Sequence, residues 1–158
     1  MRKKVLGILL CVMLVSSLLG ACKSKDTATD SKGKTVGVCM PTKDLQRWNQ
    51  DGANMKKELE AAGYKVDLQY ANNEIATQVN QIENMITGGV DILVIASIDG
   101  ASLGTVLTDA KKKGIPVIAY DRLIMETDAV SYYATFDNYM VGTIQGEYII
   151  EALDLENQ

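Results

Sequence analysis

The stretch "DILVIAS", Asp91 to Ser97, decides the fold. It is apolar almost throughout, from Ile92 to Ala96, and lacks the alternation that would leave one side wet. A strand of that kind belongs at the centre of a sheet with layers packed on both faces. Further β-branched runs stand on either side of it, at "TVGVCM" (35–40), "KVDLQY" (65–70), "PVIAY" (116–120) and "SYYATF" (131–136).

Segments with helical spacing separate these runs. Trp48, Met55, Leu59 and Ala62 share one helix face, and Ile75, Val79, Ile82 and Ile86 another. Leu103, Val106, Leu107 and Ala110 repeat the pattern, as do Val141, Ile144 and Tyr148. Three of these segments end on glycine just before the next strand, at Gly63, Gly88 with Gly89, and Gly114, where a left-handed residue closes a helix. Strand and helix thus alternate about every 25 to 30 residues, the signature of α/β architecture. The expectation is a doubly wound parallel sheet with right-handed crossovers and helices on both faces.

The first 22 residues stand apart. Arg2, Lys3 and Lys4 precede an apolar run from Val5 to Leu19, shorter than a bilayer span, which is the pattern of an export signal. From Lys23 to Lys34 the sequence "KSKDTATDSKGK" has no large apolar residue and reads as a solvated tether. The 158 residues, 47% hydrophobic and 23% charged, suffice for one domain beyond it, starting at Thr35.

Without Arg2, Lys3 and Lys4 the basic count falls from 16 to 13 against 20 acidic residues, a net charge of −7, and histidine is absent. Nucleic acid is therefore not an expected partner. The triplet Lys111 to Lys113 ends a predicted helix, where positive charge offsets the dipole. Cys11 lies in the leader and Cys22 at its end, so Cys39 alone falls in the domain and no disulfide framework is possible. Cys39 reads as a small apolar core residue.

In an open parallel sheet, ligands bind beyond the carboxyl ends of the strands, near the point where strand order reverses. Three post-strand loops, "PTKDLQRW", "SIDGAS" and "DRL", put Lys43, Arg47, Trp48, Ser97, Asp99, Asp121 and Arg122 on that rim. Asp121 and Arg122 either pair with each other or cap the next segment, or they stand at a strand outlet as recognition groups. Trp48 is either the first core residue of its helix or a platform. A guanidinium fork, a carboxylate and a flat aromatic face together suit a carbohydrate, which offers vicinal hydroxyls and an apolar C–H face.

Two resemblances follow. "LLGAC" (18–22) is similar to the lipobox of bacterial lipoproteins, which implies a lipid-modified Cys22 at the mature terminus, anchored in a membrane. Ordinary secretion with Cys22 free is the alternative. The segments "VGVCMPTKDLQRW", "QIENMITGGVDILVIASIDG", "GIPVIAYDRLI" and "YYATFDNYMVGTIQGEYI" resemble the amino-terminal lobe of type I periplasmic sugar-binding proteins. Within them the likeness is to the D-xylose-binding and multiple-sugar-binding proteins that serve ABC importers. It implies a monosaccharide ligand (xylose, arabinose, glucose or galactose type), an ABC permease with its ATPase as partners, no cofactor and an extracytoplasmic location.

That resemblance also implies that Arg47 hydrogen-bonds the sugar, Trp48 stacks on it, and Asp121 and Arg122 bind its ring oxygen or hydroxyls. Lys43 and Asp99 carry over less directly, since Asp99 also fits a helix cap. Asp137 or Asn138 of "FDN" is expected to start the last helix. The division is then 1–21 signal peptide, 22–34 tether and 35–158 amino-terminal lobe.

Family members close a second lobe over the sugar. That lobe and the strand returning from it have no counterpart in this sequence, so the expectation is binding in the millimolar range or none at all, about −4 kcal/mol or weaker, with an exposed sheet edge. A truncated nonfunctional product, or a surface sensor or interaction lobe without a transport role, is the alternative function. Catalysis is not expected, because histidine is absent, G-x-G-x-x-G after the first strand and G-x-x-x-x-G-K-[ST] are missing, and "GASLG" (100–104), though spaced as G-x-S-x-G, has no histidine to act as base for its serine. A cytoplasmic sugar-responsive repressor would open with a helix-turn-helix where the export leader stands.

Overall fold

The computed structural model describes residues 33–154. The leader, Cys22 and nearly all of the tether lie outside the described residues. Five strands, β1 (Thr35–Met40), β2 (Lys65–Tyr70), β3 (Ile92–Ile95), β4 (Val117–Tyr120) and β5 (Val130–Ala134), form one sheet. Its order is β2-β1-β3-β4-β5 and every neighbouring pair is parallel. The helices are α1 (Gln46–Ala61), α2 (Ile75–Thr87), α3 (Gly104–Lys112) and α4 (Asn138–Ala152).

β3 is the central strand, and its side chains divide between two cores. Leu93 and Ile95 pack with Ile82, Met85 and Ile86 of α2 and Val106, Leu107 and Ala110 of α3. Val94 and Ala96 pack with Trp48, Met55 and Leu59 of α1. Helices thus cover both faces, and the uninterrupted apolarity of 92–96 follows from that double burial. Left-handed Gly63 (φ 92°), Gly89 (φ 78°) and Gly114 (φ 70°) follow the ends of α1, α2 and α3, while Gly88 itself is right-handed. Lys111 and Lys112 occupy the last turn of α3. Cys39 is fully buried, and that burial raises its thiol pKa to about 12, so it remains a thiol in the core.

One expectation fails. Val141, Ile144 and Tyr148 do not lay the last helix on the sheet, since no residue of α4 is buried. Tyr139, Met140, Ile149 and Ile150 fill the directions between them, all 41% exposed or more, so the helix has no single apolar face to dock. Its start is as expected: the Asp137 carboxylate accepts from Met140 N–H at 2.9 Å, a side-chain N-cap.

Candidate functional site

Because all five strands are parallel, their carboxyl ends share one edge of the sheet. β2 and β3 lie on opposite sides of β1, so strand order reverses there, the place where open parallel sheets bind ligands. The loop after β1 delivers Arg47 and Trp48 in the first turn of α1. The loop after β3 delivers Ser97, and the end of β4 delivers Asp121 and Arg122.

The fold brings four of the expected residues together. Arg47 Nη2 donates to Asp121 Oδ1, linking α1 to the end of β4. The Arg47 guanidinium lies 4.6 Å from the centre of the Trp48 ring and the Arg122 guanidinium 5.1 Å from it. Both distances fall within cation–π range. Trp48 is only 3% exposed, so the indole is both a core residue and the seat of the two arginines. Asp121 and Arg122 do not pair with each other. Asp121 holds Arg47, and Arg122 Nη1 donates to the Ser97 carbonyl at 3.0 Å.

The end of β4 is shaped by backbone that few side chains tolerate. Asp121 is left-handed at φ 62°, a conformation Asp accepts more readily than most residues. Its N–H donates to Ala134 O at 2.7 Å, and its carbonyl accepts from Tyr133 Oη at 3.1 Å and Thr135 Oγ1 at 3.2 Å. Three neighbours thus fix the backbone of Asp121, and its carboxylate reaches Arg47. The next segment is pinned by Met125 N–H donating to Gly100 O at 2.8 Å. A Cβ on Gly100 would stand 2.8 Å from the Leu123 carbonyl oxygen, so only glycine lets the two loops touch here.

Three further residues complete the rim. Asp51, one turn beyond Arg47, approaches Arg47 Nε at 3.4 Å and accepts from Tyr120 Oη at 3.1 Å. Phe136, just after β5, lies 5.4 Å from the Arg47 guanidinium. Asp51 was discoverable as the i+4 partner of Arg47. Phe136 and Tyr120 gave no local signal. The hydrogen bond to Asp121 raises the Arg47 pKa above its ordinary value, so the guanidinium stays charged throughout the physiological range. Burial first, then the Asp51 charge, raises that of Tyr120, which therefore remains a hydrogen-bond donor.

Lys43 and Asp99 do not join the group. Lys43 Nζ lies 5.1 Å from the ring centre of Tyr70, at the end of β2. Asp99 accepts from Ala101 N–H at 2.9 Å and Ser102 Oγ at 2.7 Å, which lowers its pKa, the Ser102 hydroxyl most. It shapes the turn before α3. The Ser97 hydroxyl is buried without a hydrogen-bond partner among the described residues. A shallow polar cavity of about 600 Å³ between α3 and Glu126–Asp128 contains none of the four residues and no aromatic ring. The described residues include no cluster of potential metal ligands and no helix long and apolar enough to cross a membrane.

A doubly covered parallel sheet with charged and aromatic groups gathered at its strand outlets defines an α/β lobe of the doubly wound class. Residues 36–156 match the family model described as the periplasmic binding protein domain, and the chain belongs to that family. The multiple sugar-binding periplasmic protein SbpA of Azospirillum brasilense is 50% identical over 145 residues, covering 92% of this chain and 40% of the relative. The D-xylose-binding periplasmic protein of Escherichia coli K12 is 38% identical over 143 residues, covering 89% and 43%. A crystal structure of an ABC transporter solute binding protein from Clostridium phytofermentans with bound β-D-glucose superposes with TM-score 0.75 and 76% identity, covering 78% of this chain and 38% of that one. The chain spans about two fifths of the length of these relatives. All three are named as binding proteins, in agreement with the expectation of recognition without catalysis.

Proposed function

We propose that this chain provides the amino-terminal sugar-binding lobe of an extracytoplasmic lipoprotein that captures a monosaccharide for an ABC importer. The convergence of Arg47, Trp48, Asp121 and Arg122 at the strand outlets carries this reading, and the names of the relatives agree with it. Arg47 and Arg122 supply charged donor forks, Asp121 supplies acceptors, and together they match the paired donors and acceptors of vicinal hydroxyls. Trp48 seats both guanidinium groups, and a sugar that draws one of them outward uncovers the indole for its own C–H face. The leader and Cys22 support export and a lipid anchor, which would hold the lobe at the membrane beside a permease and its ATPase.

Trp48 is the only tryptophan in the chain, so its emission reports the site directly. Titrating the 158-residue protein with D-xylose, L-arabinose, D-glucose and D-galactose should give a saturable change for at least one sugar, with a midpoint of roughly 1 mM or above, as weak half-enclosed binding implies. Arg122→Ala should abolish it. The absence of a saturable response to all four sugars at about a hundred times that concentration would remove the basis for the proposal.

A further inference from the structure

We infer that Gln78, remote in sequence from every rim residue, is the positioning residue that aims Arg122. This rests on the assignment of Arg122 to the site, but its geometry stands without any sugar. Gln78 lies in the first turn of α2 with no exposed surface, a polar side chain within the apolar stripe formed by Val79, Ile82 and Ile86. Buried amides persist where all their hydrogen bonds are made. Here Nε2 donates to Ala96 O at 3.0 Å and lies 3.8 Å from Cys39 Sγ, while Oε1 accepts from Ile98 N–H at 2.9 Å. One side-chain amide thus grips the backbone on both sides of Ser97.

The Ile98 N–H and the Ser97 C=O belong to the same peptide group, and no peptide bond among the described residues is cis. In a trans peptide these two bonds point in opposite directions. Holding the N–H on Gln78 therefore turns the Ser97 carbonyl the other way, and that carbonyl accepts from Arg122 Nη1 at 3.0 Å. The relay runs from the buried face of α2, through one rigid plane, to the guanidinium 5.1 Å from the Trp48 ring. Its final bond is charge-assisted, so a rotated plane would release Arg122 from its seat.

The test uses acrylamide quenching of Trp48 in the sugar-free protein. Gln78→Met keeps the length of the side chain and removes both hydrogen bonds. Its quenching constant should rise to that of Arg122→Ala, and the double variant should show no further rise, because both changes act through the same guanidinium. Val106→Ala, a cavity in the same core away from the relay, should lower the melting temperature with quenching unchanged. Gln78→Glu, neutral in this fully buried site, keeps an acceptor for Ile98 N–H and an O–H donor for Ala96 O, so its quenching should stay near the wild-type value, and it decides the matter if Gln78→Met does not fold. Wild-type quenching in Gln78→Met, additivity in the double variant, or Gln78→Glu behaving like Arg122→Ala would each overturn the inference. In the sugar titration, Gln78→Met should weaken any measured affinity about tenfold, the loss of roughly one charge-assisted hydrogen bond. Because quenching is read without sugar, a failed sugar titration leaves the positioning claim separately decidable.

Discussion

Replacing Asp121 separates the stability of the lobe from its recognition chemistry. The residue is left-handed, at φ 62°. That region costs a side chain with a Cβ about 1–2 kcal/mol, and Asp somewhat less because its short polar group suits it. Its ion pair with Arg47 joins side chains 15% and 46% exposed, so the pair contributes about 0–1 kcal/mol. Asp121→Ala loses the pair and adds only the few tenths by which alanine's backbone cost exceeds aspartate's, a destabilisation of about 0.5–1.5 kcal/mol. Asp121→Gly loses the same pair but relieves the backbone, and the greater freedom of its unfolded chain returns only about 0.5–1 kcal/mol of that relief. Glycine should therefore exceed alanine in stability by about 0.5–1 kcal/mol, read from urea denaturation midpoints at constant m-value. Both variants should lose the Trp48 response to sugar equally, because neither retains a carboxylate. An alanine variant as stable as the glycine variant would mean that the β4 outlet does not adopt the left-handed turn on which the site depends.

Gly100→Ala forces a Cβ to within 2.8 Å of the Leu123 carbonyl, so it should cost about 1–3 kcal/mol in urea unfolding and shift Trp48 emission as the Arg122 loop moves. Trp48→Ala removes an indole only 3% exposed and should cost about 3–5 kcal/mol, so Trp48→Phe, with affinity followed by calorimetry, is the variant that separates stacking from packing. Burial holds the Cys39 pKa at about 12 in the folded state against 9.0 unfolded, so the unfolded chain ionises first as pH rises. The contribution of this thiol to stability should be complete below pH 9 and decline between pH 9 and about 12, as urea midpoints at stepped pH would show.

The sheet was legible because burial on both sides of β3 leaves an unbroken apolar run, and because glycines mark where α1, α2 and α3 end. The last helix was misread for a related reason. Val141, Ile144 and Tyr148 keep helical spacing, yet Tyr139, Met140, Ile149 and Ile150 distribute apolar surface around the whole circumference, so spacing alone does not identify a docking face. At the rim, the outlets could be counted from the strand ends, and Arg47, Trp48, Asp121 and Arg122 did converge. Lys43 and Asp99 sit on the same loops but turn to Tyr70 and to the α3 turn, choices made by contacts distant in sequence or by local turn geometry. Gln78 showed only as a polar residue on an apolar stripe, and its partners near Ser97 become visible once α2 lies on β1 and β3.

The most direct measurement is a two-dimensional ¹H–¹⁵N NMR titration of the labelled 158-residue chain with D-glucose and D-xylose, following backbone, indole and arginine side-chain signals. Concentration-dependent shifts should centre on Arg47, Trp48, Asp121 and Arg122, with Ser97 and Ile98 moving alongside. Shifts confined to Ala101–Thr108 and Glu126–Asp128, or none at any sugar concentration, would contradict the assignment of the strand-outlet rim as a carbohydrate site.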